Sequence, residues 1–263
     1  MLTREQCGFL DFGSTWQRSV PQTVANVVEC ARRADELGFG RYWLGEHYGP
    51  HCCWSRPEWV MGFLCSQTRQ IRVGAGAALV MLRRSEDIGY EYSQLRLLYG
   101  ERIEIGLGSG GGRARAVHED YSAALASVLP ALPTGLSVWQ LGSSTTSLEA
   151  AEGHGLSLCL GLFLRHATPE LGAACRSRRD WGPRRLAVAI AGSVTGSECN
   201  PDIEVYRNFD GLREGLALIE QIDREFSPDD VIILDLALDS QARLEGIQAL
   251  AEALPAAGSA TST

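Results

Sequence analysis

Short apolar runs and longer amphipathic segments alternate along the whole chain. The run at 8–12 is mostly apolar, as in a strand buried on both faces, and it precedes a segment, 21–37, whose apolar residues recur at helical spacing. The pattern predicts strands at 8–12, 42–45, 73–80, 103–107, 137–141, 156–163, 186–191 and 231–236. It predicts helices at 21–37, 57–67, 86–98, 116–129, 146–153, 169–178, 211–226 and 241–253.

Repeated strand–helix units with strands this apolar indicate a parallel sheet covered by helices. The predicted fold class is therefore α/β, a (β/α)8 TIM barrel, and the alternative is an open doubly wound sheet, which usually has fewer strands. We expect residues 1–254 to form a single domain and the small, polar segment 255–263 to be a disordered tail. In a barrel, functional residues lie on the loops that follow the C-terminal ends of the strands.

Composition excludes several kinds of chemistry. The chain of 263 residues contains no lysine, so all 24 basic residues are arginine. Schiff-base catalysis needs an amine and a P-loop needs its lysine, so both are excluded. The net charge of -8 argues against nucleic acid as a partner, because phosphate backbones are bound by basic surfaces.

The eight cysteines form no C-x-x-C pair and show no spacing typical of a metal site, so we expect no metal. The N-terminus lacks an apolar core of signal-peptide length, and no window approaches the roughly 18 apolar residues of a membrane helix. We therefore expect a reduced, cytoplasmic protein with no membrane partner.

Two predicted strands end in residues suited to a ligand site. His47 follows the second strand, where a histidine at the barrel mouth can act as a base or a hydrogen-bond donor, although a structural role is the alternative. The third strand, 73–80, is rich in glycine and alanine. Such small residues let a flat ligand approach the backbone, but tight packing inside a barrel would select them as well.

Two further strand ends suggest a phosphate site. The fifth strand runs into the hydroxyl-rich turn 143–147, where a helix begins and offers N–H groups to an anion, although an N-cap would need only one hydroxyl. The glycine-rich segment 106–112 lacks the helix and the acidic residue of a dinucleotide fingerprint. Beside it, Arg113 and Arg115 either meet a phosphate or are solvated.

Four blocks of sequence, in this order and spacing, resemble the bacterial luciferase-like, flavin-dependent oxidoreductases. They are ARRADELGFGRYWLGEHYG (31–49), QIRVGAGAALV (70–80), EYSQLRLLYGERIEIGLGSG (91–110) and WQLGSSTTSLEAAEGHGL (139–156). The resemblance covers roughly the first 160 residues, and the stretch from Tyr206 onward is similar but less specific.

The resemblance implies a barrel that binds FMN, or the deazaflavin coenzyme F420, with the ring deep in the mouth. It implies that His47 is the catalytic acid/base and that Glu46 orients it. A cis peptide in the third strand, at Gly76–Ala77, would support the ring. Cofactor phosphate contacts would fall on Ser143, Ser144 and Thr146. Ser109 stands at the position of a family arginine, which Arg113 or Arg115 would replace.

Three functions remain open from the resemblance. The first is a monooxygenase that takes reduced FMN from a separate flavin reductase and uses O2 to oxidise a small organic substrate. The second is a deazaflavin-dependent reductase or dehydrogenase that transfers hydride on the same fold. The third is a non-catalytic flavin-binding protein or partner subunit, like the accessory chain of a heterodimeric luciferase.

The sequence departs from the family in two respects. Ser109 replaces the arginine that many relatives carry after the fourth strand, and the loop insertions after the fourth and seventh strands are shortened. A shorter lid and a missing arginine are what motivate the non-catalytic alternative. By analogy with family barrels that pair through helices near the second and third strands, we expect a homodimer.

Overall fold

The computed structural model describes residues 2–49, 51–110, 117–118, 120–165, 168–177, 182–201 and 203–256. The strands are β1 (Cys7–Asp11), β2 (Arg41–Leu44), β3 (Arg72–Leu79), β4 (Ile103–Gly108), β5 (Ser137–Gly142), β6 (Ser157–Gly161), β7 (Leu186–Ser193), β8 (Phe209–Asp210) and β9 (Asp230–Asp235). The helices are α1 (Val20–Glu36), α2 (Pro57–Gln67), α3 (Ser85–Tyr99), α4 (Tyr121–Val128), α5 (Thr145–His154), α6 (Pro169–Ser177), α7 (Leu212–Phe226) and α8 (Ser240–Ala253).

All strand pairings are parallel, and the sheet closes on itself. Neighbouring strands run in the order β6-β5-β4-β3-β2-β1-β9-β7, and a further pairing between β6 and β7 completes the ring. The two-residue strand β8 pairs only with the end of β7 and lies outside the ring. The predicted (β/α)8 barrel is therefore confirmed, and the doubly wound alternative is wrong.

The barrel wall separates two apolar clusters. The larger cluster fills the space between the strands and the surrounding helices, and the smaller one fills the interior of the barrel. Within the interior, the rings of Trp43 and Trp139 meet edge to face with centroids 5.5 Å apart. Strands that are covered on both sides in this way read as continuous apolar runs, which explains why the sequence pattern found them.

A buried charge cluster lies below the tryptophans, inside the barrel. Arg41, which is fully buried, contacts Glu104 at 3.1 Å and Asp230 at 2.5 Å. Burial alone would raise the pKa of Glu104, but the positive charges of Arg41 and Arg72 lower it. The cluster fills the lower part of the barrel, so open space is left at the carboxyl ends of the strands.

Most predicted boundaries agree with the structure within two residues, but two differ because of a specific contact and one strand was missed. The helix predicted at 116–129 begins only at Tyr121, because the side chain of Asp120 accepts a hydrogen bond from the Ala123 amide and caps it. The strand predicted at 156–163 ends at Gly161, where the chain turns and the Leu164 amide bonds back to the Gly161 carbonyl. The short strand β8 was not predicted. The single domain 1–254 stays a prediction, and 257–263 lies outside the described residues.

Candidate active site

The carboxyl ends of the strands surround one large cavity of about 1120 Å³. The predicted site residues that line it are Glu46, His47, Gly76, Ala77, Ser109, Ser143, Ser144 and Thr146. Arg113 and Arg115 lie outside the described residues. Residues more than 90 positions apart in the sequence thus share one wall, as expected for the loops at the top of a barrel.

His47 follows β2 and is partly buried against an aromatic neighbour. Its ring lies 4.4 Å from the ring of Phe12, which follows β1. Burial lowers the pKa of His47 below its ordinary value of 6.5, so the imidazole is neutral at pH 7. The described part of the chain supplies no hydrogen bond to the ring, so its nitrogens are available to a ligand in the cavity.

Glu46 does not orient His47, contrary to the prediction. Its carboxylate accepts hydrogen bonds from Arg83 at 2.9 Å, from the hydroxyl of Tyr48 at 2.6 Å and from the backbone amide of Leu79 at 3.1 Å. A buried carboxylate needs such partners, and these draw it toward β3 and away from the imidazole. The hydrogen bonds of the Glu46 carboxylate thus go to Arg83, Tyr48 and Leu79, and its described contacts do not include the imidazole.

The end of β3 forms another side of the cavity. The peptide bond between Gly76 and Ala77 is cis, at the position that the family resemblance implied. A Cβ on Gly76 would come within 2.9 Å of the Trp43 ring, so packing inside the barrel demands a glycine here. A Cβ on Gly108 would come within 2.7 Å of the Ala77 Cβ, which leaves no room for larger side chains across the β3–β4 pair. The small residues therefore serve the packing and also leave a smooth wall.

The hydroxyl-rich turn after β5 separates into two groups. The side chain of Ser144 caps α5 by accepting a hydrogen bond from the Ser147 amide. Ser143, Thr146 and Ser147 also line the cavity, whereas Thr145 is not part of its lining. The Ser147 hydroxyl contacts that of Ser144 at 3.3 Å, so the N-cap interpretation accounts for this pair. The hydroxyls of Ser143 and Thr146 remain next to the helix N-terminus, an arrangement suited to an anion.

Sequence reasoning missed the segment that covers the mouth, described at 194–201 and 203–208, which we call the strap. The Asn200 amide bonds to Leu236 after β9, at 2.8 Å, and the Tyr206 amide bonds to Phe163 after β6, also at 2.8 Å. The Asn200 side chain reaches Ser14, after β1, at 2.8 Å. The strap has no strand or helix period to find, so no sequence signal announces it.

The strap gives the mouth an apolar lining. Ile203 and Val205 pack with Phe12 against the upper side of the interior cluster, next to the buried ring of Phe163. The charged strap residue Glu204 is exposed, as is Arg165 after β6. Arg165 is the arginine found in the described part of the cavity lining. Although the insertion after the seventh predicted strand is short, it still crosses the mouth.

The described residues show neither a metal-binding group nor a membrane-spanning helix. They contain no group of three or more His, Cys, Asp or Glu side chains that can hold a metal ion. No helix among them combines the length and the hydropathy needed to cross a membrane.

The residues present fit a flavin mononucleotide. The cavity exceeds the volume of such a molecule, the wall at Gly76 and Ala77 is smooth enough for a flat ring, and the hydroxyls of Ser143 and Thr146 lie at a helix N-terminus that can receive a phosphate. His47 lines the same cavity.

Sequence comparison agrees with these features. The family model described as luciferase-like monooxygenase matches residues 7–127. The uncharacterized protein YvbT of Bacillus subtilis is 28% identical over 201 residues, which cover 72% of this chain and 56% of that protein. The N-acetyl-S-alkylcysteine monooxygenase of Bacillus subtilis is 31% identical over 91 residues, covering 34% of this chain and 27% of that protein. The alignments thus span about half or less of these relatives.

Comparison with solved structures extends the likeness in fold to nearly the whole chain. The structure of apo-MsnO8 superposes with a TM-score of 0.77 at 19% identity, covering 94% of this chain and 97% of that chain. The oxygenating constituent of 3,6-diketocamphane monooxygenase from Pseudomonas putida, in complex with FMN, gives 0.72 at 11% identity, covering 97% and 98%. An F420-dependent secondary alcohol dehydrogenase gives 0.65 at 15% identity, covering 96% and 98%.

The two kinds of likeness cover different parts of the chain and agree. The family-model match lies in the first half, where β1 to β4 and His47 are found, and the likeness in fold includes the second half as well. With a closed parallel barrel and a cavity at the carboxyl ends of its strands, the chain is similar to the luciferase-like monooxygenase family, whose model matches residues 7–127.

Proposed function

We propose that the protein is a flavin-dependent monooxygenase that uses reduced FMN and O2 to oxidise a small organic substrate. The observation that carries this proposal is the shared cavity. A neutral histidine, the smooth end of β3 and the hydroxyls of α5 surround one space that is large enough for a flavin and a further small molecule.

Reduced FMN, when bound, supplies the two electrons that let one oxygen atom of O2 enter the substrate while the other leaves as water. The chain's own residues bind and position the reactants. Ser143, Ser144 and Thr146 would hold the phosphate end, with Arg165 near the opening as the described cation of the lining. Ser109 is exposed at the rim of the cavity. Ser109 and Arg113 are also proposed to contact the cofactor.

His47 is proposed as the acid/base. Because burial keeps the imidazole neutral at pH 7, one ring nitrogen can accept a proton from a reacting group and return it later. The ring of Phe12 on one side of the imidazole limits the access of water.

The substrate portion that lies under the strap is proposed to be apolar and uncharged. Phe12, Phe163, Ile203 and Val205 surround that part of the cavity, and the charged groups Glu204 and Arg165 are exposed at the rim. A charged substituent placed among these side chains would lose its hydration without gaining a partner.

A deazaflavin-dependent hydride transfer is the second candidate. The likeness in fold to the F420-dependent secondary alcohol dehydrogenase favours it, and the same cavity can take either cofactor. A non-catalytic flavin-binding role is the third, motivated by Ser109 at the position of a family arginine.

Anaerobic titration of the purified protein with FMN, reduced FMN and reduced F420 separates these candidates. We expect the tightest binding for reduced FMN, followed by oxygen-dependent product formation in a screen of small apolar compounds. Preference for F420 with turnover in the absence of O2 would replace the first proposal by the second. Flavin binding without turnover of any kind would favour the third, and binding of neither cofactor would refute all three.

We further propose a homodimer that receives reduced flavin from a separate reductase and resides in the cytoplasm. The outer surfaces of α2 and α3 support the dimer, because large apolar side chains are exposed there together. They are Trp59, Phe63, Tyr90, Leu97 and Leu98, the first of which is 81% exposed. The reduced state expected of cysteines that are mostly buried in apolar surroundings supports the location.

A further inference from the structure

Glu46 makes backbone and side-chain contacts with the same short piece of β3. Its amide donates to the Ala77 carbonyl at 3.1 Å, and its carboxylate accepts from the Leu79 amide at 3.1 Å. Glu46, in the loop that follows β2, therefore forms hydrogen bonds with two residues of β3, Ala77 and Leu79. The side chain of Glu46 is fully buried, so neither contact competes with bulk water.

These contacts fall where β3 leaves the regular ladder with β4. Gly76 pairs with Gly106 and Ala78 pairs with Leu107, so Ala77 has no partner residue across the ladder. An extra residue of this kind locally disrupts the pairing and leaves backbone groups to be satisfied elsewhere. The amide of Glu46 satisfies the carbonyl of the unpaired residue, and its carboxylate holds the amide two residues later.

Arg83 holds the Glu46 carboxylate in place. The guanidinium of Arg83 is fully buried and bonds to Glu46 at 2.9 Å and to Glu58, at the start of α2, at 2.7 Å. It also pairs with Glu91 on α3. A carboxylate buried without a partner is strongly unfavourable, so Arg83 is what permits Glu46 to sit beside the β3 backbone.

The effect of Leu79 extends to the next strand. A Cβ on Gly110 would lie 3.1 Å from the Leu79 side chain, so Leu79 packs directly against the chain that follows β4. Holding the Leu79 amide therefore fixes two walls of the cavity: the end of β3 at Gly76 and Ala77, and the rim at Ser109 and Gly110.

We propose that Glu46 is a positioning residue that holds the irregular end of β3 in the shape that receives the flavin ring. Its role is to fix the backbone from Ala77 to Leu79, opposite His47, and not to exchange protons. As far as the ligand is concerned this inference rests on the proposed function, but the effect on β3 does not depend on any ligand.

Amide hydrogen exchange of the free protein tests the effect on β3, and FMN titration tests its consequence. The variants are Glu46→Ala, which removes the acceptor, and Glu46→Gln, which retains an oxygen that can accept from the Leu79 amide. Glu91→Gln is the matched control, because it removes a different carboxylate from the same Arg83 and leaves the contact with Leu79 intact.

We expect exchange in peptides containing Leu79 to become about tenfold faster in Glu46→Ala, as for the loss of one buried hydrogen bond. FMN binding should weaken about tenfold in the same variant, with partial recovery of both properties in Glu46→Gln. Glu91→Gln should leave both within about twofold of the original, even if it lowers the melting temperature.

The possible contrary results are distinct. Unchanged exchange at Leu79 in Glu46→Ala, or an equal change in Glu91→Gln, would overturn the role of Glu46. If Glu46→Ala does not fold, the comparison is made between Glu46→Gln and Glu91→Gln. The same exchange rate at Leu79 and the same FMN affinity in these two variants would then overturn the role of Glu46. Faster exchange in Glu46→Ala, with no FMN binding by the original protein, would retain the role of Glu46 and refute the proposed cofactor.

Discussion

His47 combines position and protonation state. It lines the cavity with its ring packed on Phe12, and burial lowers its pKa below 6.5. The unfolded chain therefore takes up a proton on this side chain at a higher pH than the folded protein does. Protonation favours the unfolded state, so the folded protein loses stability as the pH falls below 6.5.

Replacing His47 should reveal both properties. We expect His47→Gln to reduce oxidation of a substrate by about a hundredfold, as for the loss of a general acid/base, while FMN binding changes little. The stability of the original protein relative to the variant should decline between pH 7 and pH 5. Thermal unfolding across this range and turnover assays measure the two effects. A constant difference in stability would mean that the pKa of His47 is not lowered.

The hydroxyls of α5 permit a closely matched comparison. Thr146 lines the cavity, and its neighbour Thr145 does not. Thr146→Val should weaken FMN binding by about tenfold, because a hydrogen bond to a charged phosphate is lost, and it should leave riboflavin binding unchanged. Thr145→Val should affect neither. Fluorescence titrations with both ligands check this, and an equal loss for riboflavin would place the phosphate elsewhere.

At the scale of elements, the strap determines what the mouth can accept. It is bound to the ends of β6 and β9 by backbone hydrogen bonds, and it turns Ile203 and Val205 toward the interior cluster. A segment of this length without regular structure is positioned by such contacts and not by its own propensity.

A charge on the strap should therefore disturb substrate binding. In the FMN-loaded protein we expect 2-naphthol, an uncharged apolar probe, to bind more tightly than 2-naphthalenesulfonate. Val205→Asp should weaken 2-naphthol binding about tenfold, because a carboxylate then faces the apolar cavity. Val20→Asp, at an exposed position on α1, is the matched control. Equilibrium dialysis measures both, and tighter binding of the sulfonate would contradict the proposed substrate class.

At the scale of the whole molecule, the apolar outer surfaces of α2 and α3 need an explanation. Tyr90 and Leu97 stand two turns apart on α3, and both are more than 70% exposed, at 74% and 78%. Trp59 on the neighbouring helix α2 is exposed as well, at 81%. Apolar side chains grouped in this way favour an interface.

Sedimentation velocity tests the proposed dimer. Leu97→Glu should convert a species of twice the 28.5 kDa chain mass into one of the chain mass, because a charge would be buried in the interface. Val117→Glu, at another exposed apolar position, should leave the dimer intact. A monomer in the original protein at micromolar concentration would refute the proposal.

The predicted elements succeeded where one local signal dominated. Strands β1 to β7 and β9 are predominantly apolar runs, and α2 runs from a proline at its first turn to the last residue expected. Errors occurred where a tertiary contact set the boundary: the Asp120 cap begins α4, and the turn after Gly161 ends β6. The cavity positions of His47, Ser143 and Thr146 followed from their places after strands, since the loops of a barrel converge.

The order of apolar and polar residues by itself determined the barrel and the end of the barrel that holds the cavity. The composition by itself excluded lysine-dependent chemistry. Both can be read without the tertiary structure, because periodicity and composition are properties of the chain alone. Only the tertiary structure decided the partners of the buried charges. Glu46 immediately precedes His47 in the sequence, yet its side chain bonds to Arg83 and to the Leu79 amide, both more than 30 residues away. The strap and the cavity wall at β3 likewise depend on contacts between distant segments, which no local pattern encodes.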